Sequence, residues 1–267
     1  MSSTCTAYIM EDPREAMRLE VKVDPVAWVQ KYAAHHITPG AKVLCVGCGP
    51  GVILNEVCAL DSSIRGTGVD ISPERVEEAA RRYRGSAQLK FMQGDAHKLP
   101  LPSENFDFVY SRMLFEYLKD KQGAAAELVR VCRPGGKVML QDLDGQLVWN
   151  YPEDATLQEA IQKVVGGLAK TGFDPLVGRK LYSFAHKAGL KNIDVKVECY
   201  HLIAGEIDPE ILRQWELKLE IAIPQIARVL GDERQAREQA QRFLEFFRRP
   251  DTLTYSNVFT VTGEKLL

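Results

Sequence analysis

The sequence predicts an α/β fold built on a doubly wound, mostly parallel sheet, with a helical insertion before its last strand. Between about residues 25 and 150, apolar strand-like runs alternate with helical segments. Strands that alternate with helices need crossover connections, which produce a parallel sheet covered on both faces. Beyond residue 150, a strongly helical block lies between two further strand-like runs.

Five runs in the first part have the apolar, β-branched composition of buried strands. They are residues 41–47, 64–72, 87–96, 106–113 and 133–144. Helical spacing of apolar residues predicts helices over 25–36 and 52–60 and in the stretch before residue 133. A further helix is predicted to begin after Ser72, because a serine cap followed by Pro73 and early glutamates is typical of a helix start.

The second part is predicted to contain helices at 156–172 and 178–190, followed by a strand at 192–202. Residues 208–249 are strongly helical, with predicted interruptions at Pro224 and Gly231, and residues 254–264 form a last strand. A helical block between two strands of one sheet predicts a cap inserted at about 206–249.

Composition is that of an ordinary globular protein. The 267 residues carry a net charge of −2, with 45% hydrophobic and 26% charged residues and a pI of about 6.3. No basic excess points to nucleic acid as a partner. No apolar run is long enough to span a membrane, and the first residues lack the pattern of a secretion signal. The predicted location is therefore the cytoplasm.

Six cysteines are scattered along the chain without the spacing of a disulfide framework or a zinc site. They are Cys5, Cys45, Cys48, Cys58, Cys132 and Cys199. A redox C-x-x-C pair needs its first thiol exposed at a helix N-terminus, whereas Cys45 lies within a predicted strand. Structural thiols and no metal are the expectation.

The glycine-rich stretch VGCGPGV after the first strand is the main candidate for a ligand site. Gly47, Gly49 and Gly51 allow a tight turn and a close approach of the backbone to a ligand. Val52 stands where a dinucleotide fingerprint requires its third glycine, and no lysine follows as in a phosphate-binding P-loop. The alternative is a plain glycine turn.

Two acidic residues at the ends of the next strands support a nucleoside site. Asp70 follows the glycines by about twenty residues, where a carboxylate can accept hydrogen bonds from both ribose hydroxyls. Asp95 is placed to accept from an adenine amine, and Ala96 supplies a backbone donor beside it. The alternatives are a helix cap at Asp70 and a turn-forming role for Asp95.

Taken together, four motifs resemble the class I S-adenosylmethionine-dependent methyltransferases, and among them the ubiquinone/menaquinone-type small-molecule group. The motifs are VLCVGCGPG, GVDIS, GDAHKLPLPSENFDFVYSRMLFEYL and RVCRPGGKVMLQD, which cover about residues 25 to 145. The resemblance implies a Rossmann-like sheet of seven strands with its last strand antiparallel. S-adenosylmethionine is the implied cofactor and S-adenosylhomocysteine the implied product.

The resemblance also implies roles for individual residues. Gly47, Cys48, Gly49 and Gly51 are expected around the methionine and ribose portions of the cofactor. Asp70 holds the ribose, Ile71 packs on adenine, and Asp95 and Ala96 meet its edge. Ser111 and Arg112 are expected beside the methionine. Residues 1–24 are similar to lids of some relatives and nominate Tyr8 and Arg18, so the methyltransferase domain would comprise residues 25–267.

The catalytic residues are not assigned. Many relatives have histidine where this chain has Tyr117, whose ordinary pKa near 10 suits a base poorly at neutral pH. Packing is the favoured role of Tyr117, and hydrogen bonding to a substrate is the alternative. Asp142, Asp144 and Glu116 are the other candidates for a proton acceptor or a partner for an amine, with loop or capping roles as alternatives.

Substrate choice is expected to come from the variable second part, which is rich in aromatic residues. These are Trp149, Tyr151, Phe173, Trp215, Phe243, Phe246 and Phe247. They are predicted to line an apolar pocket, to seat the cap on the sheet or to form a homodimer interface through the cap. A small, partly hydrophobic acceptor methylated on O, N or C follows. The alternatives are an NAD-dependent oxidoreductase and a non-catalytic adenosine-binding module.

Overall fold

The computed structural model describes residues 23–170 and 172–266, with the side chains of all of them except Gln146 and Leu147. Seven strands occur in the described residues. They are β1 (Lys42–Val46), β2 (Arg65–Asp70), β3 (Leu89–Gln93), β4 (Phe106–Arg112), β5 (Cys132–Tyr151), β6 (Lys191–Ala204) and β7 (Leu253–Glu264).

All seven strands form one sheet in the order β3-β2-β1-β4-β5-β7-β6. Neighbouring strands from β3 to β5 pair in parallel, whereas β7 is antiparallel to both β5 and β6. The predicted seven-stranded, mostly parallel sheet with an antiparallel last strand is confirmed. Because β1 lies between β2 and β4, the chain reverses its direction of travel across the sheet there, which opens a crevice at the carboxyl ends of these strands.

Eight α-helices occur in the described residues. They are α1 (Pro25–Trp28), α2 (Val52–Ala59), α3 (Pro73–Arg82), α4 (Lys121–Val131), α5 (Ala155–Ala169), α6 (Leu181–Lys187), α7 (Pro209–Leu230) and α8 (Glu233–Phe247). Helix α1 continues as a π turn over Val29–Ala33, and short 3-10 turns occur at Ala34–His36, Phe115–Tyr117 and Gly178–Lys180. The serine cap predicted for α3 is present, since Ser72 Oγ accepts from the backbone N–H of Arg75 at 3.4 Å.

The central parallel strands of the sheet are buried on both faces, as this type of sheet requires, whereas the edge strand β6 is largely exposed. Along β1, Val43 and Cys45 pack in one cluster with α1 and α2, while Leu44 and Val46 pack in another with α4 and α6. The thiol of Cys45 is thus part of the core, as its place in a strand predicts.

A separate helical cap stands on the β5-β7 side of the sheet. Helices α7 and α8 lie between β6 and β7 in the chain, and α5 packs against both of them. The three helices share two apolar clusters. One surrounds Trp215 and Phe247 and includes Ile203 of β6, and the other surrounds Ile223 and Ala236. The fold class with a helical cap is therefore confirmed, and α5 is an additional part of that cap.

The predicted interruption at Pro224 is wrong, because α7 runs through this residue to Leu230. An internal proline costs a backbone hydrogen bond, but Ile221, Ile223 and Ile226 are buried on either side of it and hold the helix in place. Gly231 does end the helix, with a left-handed φ of 78°. At 22 residues α7 is the longest described helix, yet no helix of residues 23–170 and 172–266 is apolar and long enough to cross a membrane.

Candidate active site

A cleft of about 710 Å³ lies at the carboxyl ends of β1, β2, β3 and β4. Six of the residues predicted from the sequence line it together, namely Gly47, Asp70, Ile71, Asp95, Ala96 and Tyr117. They come from four separate segments of the chain. The cleft therefore lies where the strand order predicts a ligand site in an open α/β sheet.

The glycine loop is held against β2 by its own backbone. The N–H groups of Gly47 and Cys48 both donate to the carbonyl oxygen of Val69, at 2.8 and 3.0 Å. Gly47, Gly49 and Gly51 all have positive φ angles. The turn therefore favours glycine, because a residue with a Cβ is sterically strained at positive φ. A Cβ at Gly51 would lie 2.6 Å from the Phe91 ring, and its absence lets β3 pack close to the loop.

Asp70 ties the glycine loop to the start of α3. Its Oδ2 accepts from the N–H of Gly49 at 2.8 Å, and its Oδ1 accepts from the N–H of Ser72 at 3.1 Å. Only 6% of Asp70 is exposed. A carboxylate offers about four acceptor positions, so two backbone donors leave capacity for a ligand. Ser72, not Asp70, is the helix cap.

The residues predicted to contact adenine differ in how many hydrogen bonds hold them and in how exposed they are. Asp95 Oδ1 accepts from the backbone N–H of His97 at 2.9 Å and lies 2.7 Å from its Nδ1. Ala96 is buried, whereas 42% of Ile71 is exposed beside the cleft. Asp95 therefore forms the predicted turn and still lines the cleft, while Ile71 offers an apolar surface to a ligand.

Ser111 and Arg112 lie at the end of β4 but do not line the cleft. Side chains alternate along a strand, so the two residues face opposite sides of the sheet. Arg112 Nη2 donates to Tyr200 Oη at 3.1 Å. The Nε of Arg112 and the Oγ of Ser111 are buried and have no hydrogen-bond partner within the described part of the chain. Tyr8 and Arg18 lie outside the described residues.

Met113 and Arg75 are among the cleft residues that the sequence signals missed. Met113 has a φ of 52°, which is uncommon for a side chain of this size, and its N–H donates to the Gln141 carbonyl at 2.9 Å. No sequence pattern marks such a conformation. Arg75 lies on α3, one turn after Ser72, and only the placement of that helix beside the cleft reveals it.

The thiols of Cys45, in β1, and Cys48, in the glycine loop, are unreactive at neutral pH. Burial raises the pKa of the Cys45 thiol to about 12, and it also raises the pKa of Cys48. Both thiols are therefore protonated at neutral pH, and only a thiolate is a good nucleophile or metal ligand. The expected structural role fits this environment. The described residues contain no group of histidine, cysteine and acidic side chains arranged to hold a metal ion.

Asp142 and Glu116 form a buried carboxyl pair that lines neither the cleft nor the groove between the cap helices. Asp142 is fully buried and 2% of Glu116 is exposed. Asp142 Oδ1 accepts from the N–H of Leu143 at 2.8 Å and Oδ2 accepts from the N–H of Glu116 at 3.2 Å. Burial, with the nearby charge of Glu116, raises the pKa of Asp142 well above its ordinary value. Asp142 thus anchors the Phe115–Tyr117 turn to β5.

Asp144 is engaged in an ion pair that the sequence did not predict. Arg179 Nη2 donates to Asp144 Oδ1 at 2.6 Å, and Arg179 Nε donates to Oδ2 at 2.8 Å. The guanidinium also lies over the Trp149 ring, 5.3 Å from its centroid. Asp144 is 1% exposed. These contacts give Asp144 a structural role and leave it unsuited to act as a proton acceptor.

A second, apolar groove of about 1030 Å³ runs between α5, α7 and α8. Its walls include Ile161, Leu219 and Phe243, and Tyr117 lines both this groove and the cleft. The Tyr117 ring also contacts Phe173, with centroids 5.5 Å apart. Tyr117 therefore marks the place where the two spaces adjoin.

The predicted aromatic residues divide between the groove and its support. Phe173, Trp215 and Phe243 line the groove. Phe246 and Phe247 are buried in the cluster behind it. By contrast, Tyr151 is 69% exposed and Trp149 carries the Arg179 contact. Packing and pocket lining are thus both present, on different residues.

Comparison with known proteins is consistent with this geometry. Residues 44–140 match the family described as "Methyltransferase domain". Over 137 residues the chain is 34% identical to 2-methyl-6-phytyl-1,4-hydroquinone methyltransferase of Synechocystis sp., covering 51% of this chain and 41% of the relative. Over 116 residues it is 37% identical to sterol 24-C-methyltransferase ERG6B of Gibberella zeae, covering 42% and 30%. The chain thus spans less than half the length of these two relatives.

Solved structures share the fold over most of the chain. Phosphoethanolamine N-methyltransferase 2 of Haemonchus contortus, in complex with phosphomonomethylethanolamine and S-adenosylhomocysteine, superposes with a TM-score of 0.58. The match covers 91% of this chain and 52% of the other, at 16% sequence identity. At this identity the likeness establishes the fold alone.

Proposed function

We propose, on the premise that residues 44–140 are a methyltransferase domain, that this protein transfers a methyl group from S-adenosylmethionine to a small acceptor bound in the cap groove. The match of residues 44–140 to a methyltransferase domain supports the class predicted from the sequence, the S-adenosylmethionine-dependent methyltransferases, and the fold shared with solved structures is consistent with it. The observation that carries the proposal is the position of Tyr117, which lines both the cleft and the groove.

The residues of the cleft fit the nucleoside half of the cofactor. Asp70 has acceptor capacity left for the ribose hydroxyls, because only one backbone donor reaches each of its oxygens among the described contacts. Ile71 is exposed where an adenine ring would need an apolar face. Asp95 and Ala96 line the same space and offer an acceptor and a backbone N–H. A carboxylate at Asp70 also disfavours a phosphorylated ribose, since two negative charges would meet.

Arg112 does not line the cleft but directly precedes the cleft residue Met113, and we propose it for the charged end of the cofactor. Its buried Nε has no partner within the described part of the chain, so a donor is left for the carboxylate of the methionine portion. The buried hydroxyl of Ser111, on the opposite face of β4, also has no hydrogen-bond partner among the described residues. Tyr8 and Arg18 remain proposed lid residues.

The bound cofactor supplies an electrophilic methyl group on a sulfonium with a good leaving group. What the protein must supply is chiefly position, because holding the acceptor atom in line with that methyl group accounts for much of the rate. Tyr117, at the junction, is placed to orient the acceptor. Asp142 and Glu116 line neither space and support the Tyr117 turn instead, so a general base, if the acceptor needs one, is not assigned to them.

The groove favours an acceptor with a large apolar part. Its lining is mostly aliphatic and aromatic, as small-molecule sites usually are. The names of two relatives, a phytyl hydroquinone methyltransferase and a sterol methyltransferase, also refer to lipophilic acceptors. We propose a small, partly hydrophobic metabolite, methylated on O, N or C in cofactor or specialised-metabolite biosynthesis in the cytoplasm, with no part for nucleic acid.

Transfer of a labelled methyl group tests this proposal. We expect the purified protein to move label from methyl-labelled S-adenosylmethionine into the lipophilic fraction of a cell extract. The variant Ala222→Trp, which places an indole in the groove, should abolish transfer. It should still bind S-adenosylhomocysteine, because Ala222 lies on α7, outside the cleft.

Two results would contradict the proposal. Cofactor binding without transfer to any fraction would favour a non-catalytic adenosine-binding module. Full transfer by Ala222→Trp, with unchanged cofactor affinity, would mean that the acceptor binds somewhere other than the groove.

A further inference from the structure

Few polar side chains interrupt the apolar lining of the cap groove. Among the described lining residues, polar side-chain atoms are present on Tyr117, Trp215, Lys218 and Gln239. The ammonium of Lys218 lies over the Trp215 ring, 4.4 Å from its centroid. No carboxylate is among the described residues of the lining. The polar atoms in the groove are therefore few enough for each to matter for specificity.

One polar atom of the groove lacks a hydrogen-bond donor among the described residues, namely the side-chain amide oxygen of Gln239. This Oε1 atom is buried and accepts no hydrogen bond from the described residues. The residue lies on the inward side of α8, with Ala236 and Ala240 buried and Phe243 lining the groove one turn further on. A buried amide oxygen without a donor costs free energy, and such groups are rare in folded proteins. The missing donor is then expected to come from what occupies the groove.

We propose that Gln239 is a specificity residue that selects a neutral lipophilic acceptor bearing a hydroxyl or amide N–H group. The amide oxygen of Gln239 accepts a hydrogen bond from that group, while the aliphatic walls hold the apolar body. A carboxylate has no proton to donate to Gln239, and the Lys218 ammonium that could pair with it already lies over the Trp215 ring. A protonated amine would lack a counter-charge among the described lining residues. This inference rests on the proposed function and names the substrate class of its groove.

The two ends of the acceptor are then held by different elements. Tyr117 follows β4 on the sheet side, where the groove meets the cleft, whereas Gln239 lies on a cap helix. A donor fixed at Gln239 limits how far the acceptor can slide along the apolar walls. In this way Gln239 sets which atom of the acceptor reaches the junction at Tyr117.

A pair of matched probes tests the proposal without knowledge of the natural acceptor. We would measure displacement of the neutral fluorescent probe Nile red by 1-decanol and by decyl methyl ether, which differ in the hydroxyl donor. The wild-type protein should bind the alcohol about tenfold more tightly than the ether, as expected for one buried hydrogen bond. Gln239→Leu should lose the preference for the alcohol, because the hydroxyl is then buried without an acceptor.

The control lies on the same helix. Gln241 faces away from the groove and donates through Nε2 to Glu245 at 3.1 Å, so Gln241→Leu should keep the wild-type preference. If Gln239→Leu does not fold, Gln239→Met removes the acceptor on an unbranched side chain. Equal binding of both probes by the wild type, retention of the preference by either Gln239 variant, or failure of both probes to displace the dye would overturn the proposal.

The proposed function has a separate readout. Affinity for S-adenosylhomocysteine, measured on each variant, reports on the cleft and should not change with Gln239. If the protein binds the nucleoside and transfers methyl groups but binds the alcohol and the ether equally well, only the role of Gln239 is contradicted. A protein that does not bind the nucleoside would contradict the proposed function itself.

Discussion

At the residue scale, Gly49 and Gly51 share a left-handed backbone conformation but have different surroundings. Nothing lies within 4 Å of a Cβ built at Gly49, whereas a Cβ at Gly51 would meet the Phe91 ring at 2.6 Å. Alanine at either position carries a conformational penalty of about 1–2 kcal/mol. Only Gly51→Ala should add a packing penalty, of about 1–3 kcal/mol.

Urea unfolding measures this difference directly. We expect Gly51→Ala to lose clearly more unfolding free energy than Gly49→Ala, which serves as its matched control. Equal losses would mean that the contact between the loop and β3 is looser than the structure indicates.

Asp142 gives a prediction about pH. Its pKa is raised in the folded state by burial and by Glu116, so the folded protein keeps this proton to a higher pH than the unfolded chain does. The folded state therefore loses stability as the pH rises above the unfolded value of about 3.9. Asp142→Asn does not titrate. We expect its stability relative to the wild type to improve steadily between pH 5 and pH 8, measured by urea unfolding.

The absolute stability of Asp142→Asn is expected to fall, because asparagine has only one side-chain oxygen to accept from the N–H groups of Glu116 and Leu143. Only the trend with pH tests the buried carboxyl pair. A constant difference between variant and wild type across this range would show that Asp142 is ionised in the fold as easily as in the unfolded chain.

The sequence predicted the cleft residues better than the residues around Asp142. The glycine spacing and the acids at strand ends are local patterns, and the sheet order brings Gly47, Asp70 and Asp95 to one edge. The burial of Asp142 depends on what covers the end of β5, and the partner of Asp144 is Arg179, 35 residues away. No local pattern contains that information.

At the element scale, the cap has a core of its own. Phe247 is fully buried, and its ring centroid lies 4.6 Å from that of Phe243 and 6.0 Å from that of Trp215. Removing a buried phenylalanine ring costs about 3–5 kcal/mol. We expect Phe247→Ala to speed hydrogen exchange in α7 and α8 while leaving β1 and β4 protected. The measurement is exchange by mass spectrometry.

The exposed Gln241→Ala on the same helix is the control for this experiment. Affinity of Phe247→Ala for S-adenosylhomocysteine should stay within about twofold of wild type, because the cap cluster does not contain cleft residues. Loss of protection in the sheet together with the cap would show that the two parts unfold as one unit.

Helical periodicity predicted the cap helices but not their neighbours. The spacing of apolar residues in α5 indicates a buried face without indicating what covers it, so its union with α7 and α8 came only from the structure. Pro224 shows the converse limit. A local helix-breaking signal was overridden by the packing of the isoleucines around it, which no window of sequence reports.

At the scale of the whole molecule, the sheet and the cap form two different spaces that adjoin. The sheet edge provides the cleft that we propose for the nucleoside, and the cap provides the groove that meets it at Tyr117. A homodimer through the cap remains a proposal of the sequence, and sedimentation velocity tests it. This division implies that the cofactor is bound by the sheet edge, with the proposed lid residues Tyr8 and Arg18, and not by the cap.

Calorimetric titration of S-adenosylhomocysteine against the wild type, Asp70→Ala and Ser72→Ala tests this most directly, with NAD as the competing ligand. We expect the wild type to bind S-adenosylhomocysteine and give no heat with NAD. Asp70→Ala should weaken binding by about tenfold or more, because two ribose hydroxyls lose their acceptor. Ser72 also lines the cleft, but Ser72→Ala keeps the backbone N–H bonded to Asp70 and removes only a hydroxyl already engaged with Arg75 N–H and Glu74, so it should bind about as the wild type does. Binding of NAD in place of S-adenosylhomocysteine, or unchanged affinity in Asp70→Ala, would contradict the assignment of the cleft.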